Sequence, residues 1–227
     1  MSHLAKHFNR CIFMMSLLLS MVSSQVVQAQ NSMTQSESAS ILHLNVANLE
    51  RSLEFYRGVL GMEFVDPPAE PRSGRGLVDD ANAMLQTTIL KTPNGSFSLE
   101  LVEWLNTPLR AMYPNIQDPG EIMLAMTVRD LDALLARARE IGLQVLSENG
   151  AAYDAPTNRA VMIRDSDGFI VELVERKDRD FTGPGEVSDV SVWLSVADLN
   201  QTVTFYNNVF GFDLAEPGPA GAANDRI

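Results

Sequence analysis

The chain has 227 residues, 45% of them hydrophobic, with 17 basic and 29 acidic side chains and a formal net charge of −12. So acidic a chain disfavours nucleic acid and anionic membrane surfaces as partners, and the simplest use of the charge is solubility. One cysteine and three histidines complete a sparse inventory of metal-binding and nucleophilic groups.

Residues 1–29 read as an export signal. Lys6 and Arg10 supply the positive start, Ile12 to Val27 a mostly apolar stretch, and Val27, Gln28 and Ala29 the approach to a cut after Ala29. Serines at 16, 20, 23 and 24 interrupt that stretch, which argues against a membrane span, and nothing later is long enough for one. The expected location is the periplasm or the outside of the cell. Cleavage would remove His3, His7 and Cys11, leaving His43 as the sole histidine and 15 basic against 29 acidic residues, a net of −14. Without cysteine the mature chain has no disulfide, no thiolate nucleophile and no cysteine-ligated zinc or iron–sulfur site. Residues 30–39 are expected to be a flexible lead-in.

From residue 40 onward one pattern is written nearly three times. "LNVANLERSLEFYRGVLGMEF" (44–64) returns as "LSVADLNQTVTFYNNVFGFDL" (194–214) and, more distantly, as "MTVRDLDALLARAREIGLQVL" (126–146). Each copy predicts a strand, a helix and a strand. Asn48, Asp130 and Asp198 are placed to cap the helix starts, and Gly61, Gly142 and Gly211 to end them. Leu49, Leu53, Tyr56 and Leu60 make an apolar stripe in the first helix; Leu131, Leu134, Leu135, Ala138 and Ile141 make one in the second.

The first two copies continue into matching strands, "SFSLELVEW" (96–104) and "GFIVELVER" (168–176), each behind a turn signal, "TPNG" at 92–95 and "DSDG" at 165–168. Residues 67–83, rich in Pro, Gly and charge, are expected to form a long loop that could serve as a lid. The expected organisation is two βαβββ modules at 40–104 and 121–176 making one domain (40–176), a linker at 177–187, and at 188–227 the start of a third module, cut short. Two complete modules suffice to bury a core between curved sheet and helices, so the fold class is α+β. The third module is expected to open a second domain of a longer protein.

Paired βαβββ units carrying "VANLERSLEFYRGVLGMEF" and "RDSDGFIVELVER" resemble the vicinal oxygen chelate superfamily, the group of glyoxalase I, extradiol dioxygenases and bleomycin-resistance proteins. The resemblance implies a curved mixed sheet around a cavity, and often a divalent metal held by residues on the first and last strands of paired modules, in the order His, Glu, His or Gln, Glu. Glu100 and Glu172 match the last-strand positions. The first-strand positions fall on Ile41 and Met123, which do not ligate hard cations. His43 stands two residues beyond the first of them, on the same face and about 7 Å along the strand.

Two readings therefore stand side by side. In one, His43, Glu100 and Glu172 hold Mn, Fe or Mg in preference to Zn, with Glu172 and Glu100 as catalytic carboxylates, in a lyase, isomerase or dioxygenase-like enzyme acting on a small substrate with vicinal oxygens. In the other, no metal binds and the protein is a non-catalytic small-molecule binding module of the bleomycin-resistance type. His43 is then a cavity-wall imidazole bonded to a neighbouring carboxylate. Met123, Tyr153 and Trp104 are the candidate substrate contacts; Glu103 and Glu175, on the opposite strand face, are expected to be solvated ends. The sequence leaves open whether two chains pair as a homodimer.

Overall fold

The computed structural model describes residues 41–110 and 113–213. Strand β1 (Ile41–Val46) alternates, with Leu42, Leu44 and Val46 turned inward and Ile41, His43 and Asn45 exposed. Asn48 then accepts a hydrogen bond from the Arg51 amide at 2.8 Å and starts helix α1 (Leu49–Leu53). That helix does not end at Leu53 but widens into a π turn, Glu54–Val59. Spacing alone does not dictate the widening, since Leu199 to Gly211 spans the same twelve positions as Leu49 to Gly61 and is a regular α-helix. The bulge in the helical ladder is marked by the Leu60 amide reaching the Phe55 carbonyl at 3.0 Å. Phe55, Tyr56 and Val59 are all buried by it.

The first module adds β2 (Glu63–Asp66), β3 (Arg72–Ser73), β4 (Met84–Lys91) and β5 (Ser98–Leu105), in the order β1-β5-β4-β2 with β3 alongside β4. Residues 67–83 are thus not wholly loop: Arg72 and Ser73 extend the sheet, and amide to carbonyl bonds from Ala69 to Thr87 and from Gly74 to Ala83 hold the segment against β4. The second module runs β6 (Ile122–Val128), α2 (Leu131–Glu140), β7 (Gln144–Val145), β8 (Tyr153–Asp154), β9 (Asn158–Arg164) and β10 (Ile170–Arg176). In each module the first strand lies parallel to the last, with the helix and the other strands between them in the chain, and the remaining pairs are antiparallel.

Then come β11 (Val187–Leu194) and α3 (Leu199–Phe210), where the third copy was expected. β11 joins the second sheet, antiparallel to β6, so that the order is β11-β6-β10-β9-β7. The α+β class and the curved-sheet modules expected from the sequence are therefore present.

One core serves both modules. Val46, Phe55, Tyr56, Leu99 and Leu101 from the first cluster with Leu124, Met126, Leu134, Val161, Val171 and Leu173 from the second. The two sheets turn their helix-bearing faces to this shared interior. Their other faces point away from it, and strand alternation puts His43 and Glu100 on one of these and Glu172 on the other.

Candidate functional site

The parallel register of β1 and β5 sets His43 directly beside Glu100. Its Nδ1 lies 2.5 Å from Glu100 Oε2, an ion pair when the imidazole is protonated and an N–H donor to the carboxylate when it is neutral. The His43 side chain is 63% exposed and that of Glu100 18%, so the carboxylate is set into the sheet and the ring stands over it. Counting from the helix start had put His43 about 7 Å past a ligand position. The register removes that distance as far as Glu100 is concerned, because a last-strand partner is fixed by pairing and not by spacing along one strand.

Glu172 does not meet this pair. It sits on β10, in register with Ala125 of β6 and Met162 of β9, and is only 7% exposed. Met123 is buried at the same face of β6. Among the described residues no three His, Cys, Asp or Glu side chains come together as a group that could hold a metal ion. The joint set His43, Glu100 and Glu172 is thus split between two sheets: His43 and Glu100 could supply two donors to a cation, Glu172 one on a different face. Trp104 does lie on the His43 face, its indole N–H donating to Asn45 Oδ1 at 2.8 Å. Tyr153 is 54% exposed on the short strand β8, at the second module.

A family model described as the Glyoxalase/Bleomycin resistance protein/Dioxygenase superfamily matches residues 38–173, more than half of the chain. The chain belongs to this superfamily. Two solved structures agree on the fold. A glyoxalase family protein from Bacillus cereus is 20% identical, with 63% of this chain and 95% of that one covered and a TM-score of 0.53. A mutant glyoxalase I from Zea mays is 19% identical with a TM-score of 0.52; the match takes in 78% of this chain but only 56% of the maize protein. An antibiotic binding protein from Streptomyces sp. CB03234 is 22% identical over 63% of this chain and 98% of its own, with a TM-score of 0.42. No curated protein matches the chain significantly.

Superfamily membership does not predict which polar residues knit the two modules together, and here sequence reasoning missed several. Glu103 and Glu175 are not solvated ends. Glu103 Oε2 accepts from the Leu49 amide at 3.0 Å and Glu175 Oε1 from the Leu131 amide at 3.2 Å, so the last strand of each module gives its helix a second acceptor. Two glutamates at equivalent places, three residues after Glu100 and Glu172, were the available signal. The turn "DSDG" does more than reverse the chain. Asp167 accepts from the Ala47 amide and Ser52 Oγ of the first module, and buried Asp165 accepts from Tyr56 Oη at 2.9 Å. Burial pushes the Asp165 carboxyl above its ordinary range, against the lowering effect of the Asp167 and Phe169 amides and the Tyr56 hydroxyl. Burial, followed by the charge of Asp165, raises Tyr56 as well. Arg164 donates to the carbonyls of Gly168 and Pro114.

Proposed function

We propose that this superfamily member binds a small molecule with adjacent oxygens on the outward face of its first sheet, and that His43 and Glu100 are the polar pair that holds it. The observation supporting this reading is the 2.5 Å His43–Glu100 contact on a face whose neighbours are Ile41, Asn45 and Trp104. When the neutral ring donates its Nδ1–H to Glu100 in a hydrogen bond, Nε2 keeps its lone pair. A nitrogen so presented can accept a proton from a carbon acid, accept a hydrogen bond from a hydroxyl, or ligate a cation.

A divalent ion is part of the proposal in one form only. His43 and Glu100 would give it one nitrogen and one oxygen, water the rest, a set suited to Mn(II), Fe(II) or Mg(II), and bound there it would polarise the substrate oxygens. Two donors are fewer than the three a catalytic site ordinarily draws from protein. That count favours a second reading, a metal-free binding module, in which the pair meets the ligand directly. Glu172 and Met123 are proposed to serve a separate face on the second sheet.

Thermal melts of metal-stripped protein titrated with Mn(II), Fe(II) and Mg(II), then with catechol and α-hydroxyketone probes, test both readings. A rise in Tm with a cation, lost in His43→Asn and Glu100→Gln and kept in Glu172→Gln, supports the metal form. Probe binding that survives a chelator and fails in the same two variants supports the metal-free form. Binding that only Glu172→Gln abolishes would overturn the assignment to the first sheet. Export is proposed too: the segment that carries it lies outside the described residues, and a chain recovered from the periplasm with Gln30 as its first residue is the expected result. No helix among the described residues is long and apolar enough to cross a membrane.

A further inference from the structure

Trp104 does more than occupy the His43 face. An indole has one polar group, an N–H that can only donate, and here it donates to Asn45 Oδ1 at 2.8 Å. The Asn45 amide therefore sits in one sense, oxygen toward the indole and nitrogen away from it. Among the described residues Asn45 Nδ2 has no acceptor. Asn45 is exposed on the side of β1 that carries His43, two residues further along and about 7 Å away.

The indole is itself held from the other side. Trp104 stands in register with Leu85, and Leu85 with Arg72, so these three share the outward face of the first sheet. Leu85 is buried although that face is the outward one, and the Gly74 amide bonds to the Ala83 carbonyl at 2.8 Å, so residues 72–83 close over this end of the sheet. A Cβ on Gly74 would come within 2.6 Å of Trp104 Cζ3; only a glycine lets the backbone lie so near the ring. What sets the Asn45 amide is thus a chain of contacts running from residues 72–83 through Trp104 to β1.

We infer that Asn45 determines specificity on this face: its Nδ2 donates to a ligand carbonyl while His43 Nε2 accepts from the hydroxyl beside it, selecting α-hydroxyketones among molecules with adjacent oxygens. This selectivity rests on the ligand face proposed above. Neutral His43, its Nδ1–H given to Glu100, offers a lone pair; Asn45, its oxygen given to Trp104, offers an N–H. One acceptor beside one donor is the complement of a hydroxyl next to a carbonyl. A methyl ether in place of the hydroxyl sets an ether oxygen against the Nε2 lone pair and leaves both unpaired. A diol meets both groups, but the hydroxyl that accepts from Asn45 must turn its own proton to water. Trp104 acts through Asn45 as a positioning residue, since it decides which end of the amide the ligand meets.

The test is calorimetric titration of the full chain with α-hydroxyacetophenone, α-methoxyacetophenone and styrene glycol. Wild type is expected to bind the hydroxyketone about tenfold more tightly than the methyl ether, and more tightly than the diol. Asn45→Asp keeps an oxygen for the indole and replaces the donor by an acceptor. It is expected to weaken the hydroxyketone about tenfold and to put the diol ahead of it, with Tm unchanged. Trp104→Phe keeps a ring beside Gly74 and frees the amide to turn, so the gap between hydroxyketone and diol should narrow. A wild type that binds the methyl ether as tightly as the hydroxyketone would overturn the inference. So would an unchanged order of probes in both variants while His43→Asn still abolishes binding, and the role of the face would then stand without it. Binding that His43→Asn leaves intact, or no binding of any probe to wild type, would overturn that role and the inference with it.

Discussion

The two complete modules follow one plan and treat their outward faces differently. Glu100 and Glu172 occupy matching places, each abreast of a first-strand residue, His43 in one case and Ala125 in the other. Around Glu172 the first strand is flanked on both edges and its side chains are covered; around Glu100 it is flanked on one, and the imidazole stands in solvent. The difference teaches that a repeated motif fixes where a carboxylate lies on its sheet, while the neighbours of that sheet decide whether it is a buried wall or an accessible donor.

The sharpest way to break the comparison is through the core the modules share. Phe55→Ala, at a fully buried ring of the first module, is expected to cost about 3–5 kcal/mol and to lower the stability of both modules in a single denaturant transition followed by fluorescence and circular dichroism. Two separated transitions would show that the modules unfold independently. Next in size is the bond between the modules. Asp165→Asn or Tyr56→Phe disturbs a buried hydrogen-bonded carboxyl and should cost about 1–3 kcal/mol. The pH dependence has a definite sign. The folded-state value of Asp165 is raised above 3.8, so its contribution is complete below that value and is lost as pH rises through the folded-state one. The stability advantage of wild type over Asp165→Asn should therefore shrink from acid toward neutral pH. Smallest is the pair of helix starts. Glu103→Ala and Glu175→Ala should each cost about 1 kcal/mol, with Glu175 the larger because Arg159 bonds to it at 3.0 Å and loses that partner.

Much of the fold was legible because its signals are local. The three caps named from sequence each accept the expected amide, Asn48 from Arg51, Asp130 from Ala133 and Asp198 from Gln201. Gly61, Gly142 and Gly211, placed as helix stops, all have positive φ, from 69° to 79°, where other side chains are strained. What escaped was the information that only pairing supplies. Nothing within "ILHLNV" or "SLELVEWL" states that His43 stops abreast of Glu100. The expectation that Glu100 and Glu172 share one hollow assumed that consecutive modules face each other with their open sides. Their apolar stripes meet instead, with Phe55 and Leu134 in one shared core. The widened turn at Glu54–Val59 was equally invisible to a search for one helical period.

Residues 177–187 read as a spacer, and the structure gives them another character. The Arg129 amide bonds to the Glu186 carbonyl, its guanidinium donates to the carbonyls of Gly183 and Gly185, and the same group lies 4.4 Å from the centre of the Phe181 ring. Gly185, at φ 74°, is pressed so near Pro93 that a methyl group has no room. A buckle of this kind converts what looks like slack rope into a fixed bracket. The segment delivers the chain to β11 from a tethered start, and the pairing of β11 with β6 then fixes its course.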